Sequence, residues 1–211
     1  MAKRNEAQDR RARAAQIQEH HRRAERRRNL LIIGPAVIVA ALLVGSSVFV
    51  MVGQQREAEQ VEAAAKQPID GVQHYKDLSR DHVETEVEYP QTPPVGGDHA
   101  PVWTNCGVYT EPVEPTQAVH SLEHGAVWIG YDPALPAGEV ETLTSLGESN
   151  SYVLLSPVDG VPAAVTASAW GKQLTVDSAE DPRLAAFVQK YQQGPQTPEP
   201  GAACTGGAGG M

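Results

Sequence analysis

Residues 30–52 form a predominantly apolar run of twenty-three positions with no charged side chain. That exceeds the roughly 20 residues a helix needs to cross a hydrocarbon core of about 30 Å. Gly34, Pro35 and Gly45 fall inside the run and are tolerated in membrane helices, where neighbouring groups re-satisfy the backbone. Residues 54–67 (QQREAEQVEAAAKQ) are strong helix formers with few apolar anchors, which predicts a helical stalk stopped by Pro68. Further on the period changes. VETEVE at 83–88 alternates like a half-buried strand, and 89–99 (YPQTPPVGGDH) reads as a turn-rich loop. Residues 126–131 and 152–156 are compact apolar strands, and between them 138–148 carries Val140, Leu143 and Leu146 at helical spacing. This β-α-β unit predicts a parallel pairing with a right-handed crossover. Residues 163–169 and 173–176 read as further strands, and His74 with Tyr75 lies in a helix-like stretch. Asp181-Pro182 opens a last helix with Leu184, Phe187, Val188 and Tyr191 on one face.

The predicted fold is α+β (or α/β): a single-pass membrane helix followed by one mixed-sheet domain with flanking helices. The expected divisions are an arm at 1–29, the span at 30–52, a stalk at 53–68, the folded domain at 69–193 and a Pro/Gly-rich tail at 194–211. No internal repeat is visible.

Charge sharpens this picture. Residues 1–29 hold ten Lys/Arg against four Asp/Glu, whereas 30–211 hold seven against twenty-two. Arg26, Arg27 and Arg28 come just before the span, so the positive-inside rule places the N-terminus in the cytoplasm and the acidic domain outside. A cleaved signal peptide is disfavoured, because the apolar run far exceeds the roughly 7–15 residues of an h-region. Clustered arginines could meet nucleic-acid phosphates. Attached to a membrane span they read instead as a topogenic, lipid-contacting arm, so nucleic acid is not an expected partner. The expected partners are the membrane and another envelope protein.

The only two cysteines, Cys106 and Cys204, fall on the outer side of the span. An even count outside the reducing cytoplasm suggests a disulfide, which would pin the tail to the domain. The alternative is a metal-ligating thiolate, although Cys106 has no Cys-x-x-Cys partner.

Five of the seven histidines lie between His74 and His124. His120 and His124, four residues apart, face the same way on a helix and on a strand. Neutral imidazole is the commonest metal-binding side chain, so copper or zinc is the natural target. His99 follows a Gly-Gly-Asp turn, with Asp98 available as an orienting acceptor, and His82 sits beside Asp81. Glu123 is expected to fix a histidine tautomer from a position behind the ligands. The string His120-x-x-Glu123-His124 also matches the H-x-x-E-H signature of one class of zinc hydrolases. That chemistry needs a helix and a third, distal ligand. Glu180 and Glu199 are the available carboxylates, but Gly125 and a strand-like run follow the string at once. The histidines could also be purely structural, packed with Trp103, Trp128 and Tyr131.

Pro93-Pro94-x-Gly96-x-x-His99, then Trp103, Gly107-Val108-Tyr109, His120-Ser121-Leu122-Glu123-His124-Gly125 and Tyr131-x-Pro133 resemble the bacterial domain-of-unknown-function family 3105. Ala169-Trp170-Gly171 fits the same pattern. The resemblance covers roughly 69–200 and implies architecture more than mechanism, since the family has no established activity. Carried over, it singles out His99, His120, Glu123 and His124 as a shared polar cluster. The leading expectation is therefore a membrane-anchored domain that binds a transition metal through His99, His120 and His124, with His82 as a further candidate. The alternatives are a metal-free structural or interaction module of the envelope, and a zinc hydrolase.

Overall fold

In the computed structural model, which describes residues 2–209, the elements follow in the order α1 (Ala2–Lys66), β1 (Gln73–His74), β2 (Gly107–Val108), α2 (Pro115–Glu123), β3 (Val127–Tyr131), α3 (Ala137–Glu148), β4 (Val153–Pro157), β5 (Val165–Ala169), β6 (Lys172–Val176) and α4 (Pro182–Tyr191). The strands form one mixed sheet in the order β1-β6-β5-β3-β4-β2. As the β-α-β pattern predicts, β3 and β4 pair in parallel across α3, with Val127 opposite Val153 and Ile129 opposite Leu155. β2 extends the parallel edge, while β5, β6 and β1 continue the sheet antiparallel on the other side of β3.

The two-residue period of the strands divides the core. Val127, Ile129, Val153 and Leu155 face one side, where Leu143 of α3 and Leu184, Phe187 and Val188 of α4 cover them. Trp128 and Leu154 face the other side and pack with Ala118, Val119 and Leu122 of α2 and with Trp170. Every position of β3 and β4 is buried, so each strand is covered on both faces and reads as a continuous apolar run rather than an alternating one. α2 is thus held by its own apolar stripe, and that stripe fixes which way its polar side chains point.

Two local expectations change. Residues 83–88 form no strand; their pairing ends at one isolated bridge between His82 and His99. The alternation there reflects exposed Glu84, Glu86 and Glu88 with no neighbouring strand to take up the ladder. His74 lies in β1 rather than a helix, and pairs with Lys172 at the sheet edge. The tail is pinned to the domain by the Cys106–Cys204 bond and by backbone bonds as well. Ala208 bridges Thr104, with Asn105 N–H donating to Ala208 O (2.8 Å) and Ala208 N–H to Trp103 O (2.7 Å). A Cβ at Gly207 would collide with the Trp103 carbonyl, which is why this docking uses glycine.

The chain divides into two compact units, Met1–Glu57 and Ala58–Met211. In the first, α1 carries residues 13–29 of the basic arm as exposed helix, with an i,i+4 pair between Arg23 and Glu19. The part of α1 long and apolar enough to cross a membrane is Val39–Lys66. It overlaps the uncharged run at 39–52, while Leu30, Ile33, Gly34, Ala36 and Ile38 of that run lie outside the described side chains. In the second unit α1 ends at Lys66, just before Pro68. Lys190 of α4 donates to the orphan carbonyls of Ala65 (2.9 Å) and Gln67 (2.6 Å), a cationic partner suited to a helix C-terminus.

Asp181 caps α4, accepting from Arg183 N–H at 2.9 Å, and Arg183 binds the same carboxylate through its guanidinium at 2.6 Å. These bonds hold the Asp181 carboxyl below its usual pKa, the side-chain bond from Arg183 being the main cause. A depressed carboxylate contributes stability that is present above its unfolded pKa, about 3.9, and is lost as pH falls through the folded value. Asp181→Ala should therefore cost about 1 kcal/mol near neutrality. In thermal unfolding the gap to wild type should narrow in acid.

Candidate metal centre

Pro115 at the first position of α2 starts the helix without an amide to satisfy. Three apolar residues, Ala118, Val119 and Leu122, then turn one face to the sheet. The helical period places His120, Glu123 and His124 together on another, at i, i+3 and i+4. All three are nearly buried, at 4%, 3% and 5% exposure. α2 ends at His124, and Gly125 leaves it with φ +95. A side chain at Gly125 would meet Gln193 and Thr197, so glycine here lets the start of the tail close over the helix end.

His99 comes to the same place from the 89–99 loop. Buried polar groups of the sheet hold that loop: Gln173 donates to Pro93 O (2.8 Å), and Gly171 N–H to Val95 O (2.7 Å). Gly96 and Gly97 both have positive φ, and a Cβ at Gly96 would strike Leu78 and Trp170. His99 is thereby delivered into the interior with no exposed surface. His82, whose side chain is 47% exposed, closes the group from outside. Its ring stacks on His120 at 4.8 Å and meets His99 edge-on at 4.8 Å.

Donor atoms of His82, His99, His120 and Glu123 all lie within 4.8 Å of one another. Each buried ring is oriented by a backbone carbonyl at Nδ1: Gly97 O for His99 (2.8 Å), Ala100 O for His120 (2.7 Å) and Ala203 O for His124 (2.8 Å). A carbonyl can only accept, so each Nδ1 carries the hydrogen and each neutral ring presents an Nε2 lone pair. Those lone pairs point at other acceptors. His120 and His124 bring their Nε2 atoms to 3.0 Å, and His99 Nε2 lies 3.0 Å from Glu123 Oε2. His82 Nε2 is 3.7 Å from the same carboxylate oxygen.

Acceptor facing acceptor in a buried site is repulsive unless a cation sits between them. Between His120 and His124 a proton could serve, but burial pushes the His120 pKa below its ordinary value. The neighbouring His124, His99 and His82 rings add to that shift, and the bond to Ala100 opposes it. Carbonyl-fixed Nδ1 with a free Nε2 is also the arrangement commonly found for metal-ligating histidine.

A family model described as a protein of unknown function, DUF3105, matches residues 82–206. The chain belongs to this family. No curated protein and no solved structure matches it. The DUF3105 stretch begins at His82 and holds every residue of the convergent group together with both cysteines, whereas α1 lies outside it.

Within the DUF3105 domain Cys106 and Cys204 are bonded to each other, with no free cysteine left. A thiolate ligand is therefore not available. Asp98 is not the orienting acceptor of His99, because the Gly97 carbonyl takes that bond. Asp98 instead offers its own carbonyl to Tyr89 (2.6 Å) and leaves Oδ1 buried without a partner among the described residues. Glu123 does not stand behind the rings either. Its carboxylate is itself one of the converging donors.

Trp103 packs against both His120 and His124, at 5.6 and 4.7 Å. Trp128 and Tyr131 belong to the two cores instead. Glu199, one of the two distal carboxylates, is brought to 3.6 Å from His124 Nε2. Its amide donates to the Glu123 carbonyl at 3.1 Å. Glu180 stays beside Ser178, before α4. The i, i+3, i+4 spacing behind Pro115 is the sequence signal that could place Glu123 among the ligands and not behind them.

Proposed function

We propose that the DUF3105 domain binds a divalent transition ion, copper or zinc, through His82, His99, His120 and Glu123, on the outer face of a membrane to which α1 anchors it. The carrying observation is the set of buried imidazoles, each fixed at Nδ1 by a backbone carbonyl, whose Nε2 atoms converge on one another and on a carboxylate. Imidazole with one carboxylate suits zinc and copper better than magnesium or calcium, which prefer all-oxygen shells. The role is metal handling or support of a membrane assembly. Net negative charge over residues 30–211 favours cation capture.

Titration of the purified, tag-free chain with zinc or copper(II), followed by thermal unfolding, tests this directly. An ion that binds only the folded state adds RT ln(1 + [L]/Kd), about 2.7 kcal/mol at 100 Kd. An unmoved transition would contradict the proposal.

The candidate span supports a topology with residues 1–29 inside and the disulfide-bearing domain outside, since disulfides persist in oxidising compartments. Protease added to intact spheroplasts should remove the domain and spare the basic arm. Recovery of a soluble form starting near Gln54 would show that the span is cleaved.

A further inference from the structure

Two polar side chains at the border of the four-donor group remain to be explained. His124 is 5% exposed, has its Nδ1–H committed to Ala203 O, and aims Nε2 at His120. Glu199 reaches the same His124 nitrogen at 3.6 Å. Neither belongs to the set whose donors lie mutually within 4.8 Å, so an ion seated among His82, His99 and Glu123 leaves them without one. His120 is the contact between the two groups, and its single Nε2 lone pair can serve only one ion at a time.

We propose that the cluster is a two-ion centre, with one divalent transition ion held by His82, His99 and Glu123 and a second by His120, His124 and Glu199. This rests on the metal-binding reading above and revises it at one ligand, moving His120 from the first ion to the second. The six donors divide evenly, two imidazoles and one carboxylate for each ion. That is a donor set of open zinc sites, which keep a fourth position for water.

The spacings repeat between the two halves. The first set shows donor pairs at 3.0 and 3.7 Å, and the second at 3.0 and 3.6 Å. Tetrahedral ligands on bonds of about 2.0–2.2 Å stand roughly 3.3–3.6 Å apart, so both halves already bracket the spacing that one ion imposes. The halves are also held side by side. The His82 and His120 rings stack at 4.8 Å, and the Glu199 amide binds the Glu123 carbonyl. The Cys106–Cys204 bond fixes the tail five residues beyond Glu199, next to the Ala203 carbonyl that orients His124. Backbone bonds and the disulfide place the tail here, and a second cation gives its carboxylate and the facing histidine a common ligand.

The test is zinc stoichiometry of the full, tag-free chain in detergent micelles, by equilibrium dialysis and elemental analysis. Two zinc ions per chain are expected in wild type. The double variant His124→Ala/Glu199→Gln should hold one, and His82→Ala should independently lose the other. Glu199 is half exposed, so Glu199→Gln alone keeps the fold and should weaken only the second binding step. One zinc in wild type, or two retained in the double variant, overturns the two-ion centre and leaves the single-site reading standing. No zinc in wild type overturns both.

Discussion

Glu123→Gln is expected to abolish the stabilisation by the ion among His82, His99 and Glu123 while leaving the metal-free protein as stable as wild type, or more so. The amide is nearly isosteric with the carboxylate and supplies an N–H that can donate to His99 Nε2, where wild type sets two acceptors 3.0 Å apart. It also removes the one negative charge that this ion would neutralise. At zinc near 100 Kd the lost term is about 2.7 kcal/mol. For a folded unit of this size that is roughly 5–10 °C in the melting transition. If Glu123 and the histidines are structural, the pattern differs: the variant would melt lower by the same amount with and without zinc. Protons should also weaken binding as pH approaches the unperturbed imidazole value of about 6.5. Burial delays that competition at His120.

Breaking the Cys106–Cys204 bond, by Cys106→Ser with Cys204→Ser, should have the largest effect on the metal-free fold, about 2–5 kcal/mol. The bond closes a separation of 98 residues, and a loop near that length is worth about 4.7 kcal/mol in the chain-entropy model. It also secures the Cys106 amide on the Cys204 carbonyl (2.8 Å). Freeing the tail would loosen Ala203 O from His124 Nδ1–H and Glu199 from His124 Nε2. The variant should therefore melt earlier and respond less to added zinc. An unchanged melting transition would mean that the glycine-mediated docking at Trp103 and Asn105 suffices without the bond.

The chain announces the elements whose signals are local. Val140, Leu143 and Leu146 betray α3, the apolar runs betray β3 and β4, and Asp181-Pro182 marks the start of α4 with its cap. Cys106 and Cys204 pair as their even count implies. What the sequence hides depends on tertiary context. α2 escapes notice because half of its buried face is His120, Ser121 and Glu123, so its hydrophobic stripe is thinned by the residues of the site itself. The alternation at 83–88 is real but has no neighbouring strand, and periodicity says nothing about partners. The tail docks by backbone bonds at glycines, which carry no hydrophobic signal. Its delivery of Glu199 to His124 is therefore invisible in the sequence. The histidines could be grouped from spacing alone. That their lone pairs converge needed the carbonyls of Gly97, Ala100 and Ala203, which no side-chain pattern records.

The central claim is that imidazole Nε2 atoms and a carboxylate surround a bound ion, and X-ray absorption at the zinc edge of the zinc-loaded, tag-free chain tests it most directly. The account predicts nitrogen and oxygen neighbours at about 2.0–2.2 Å with the multiple-scattering signature of imidazole, and no sulfur at about 2.3 Å, because both cysteines are bonded to each other. A shell of water oxygens without imidazole scattering would contradict it.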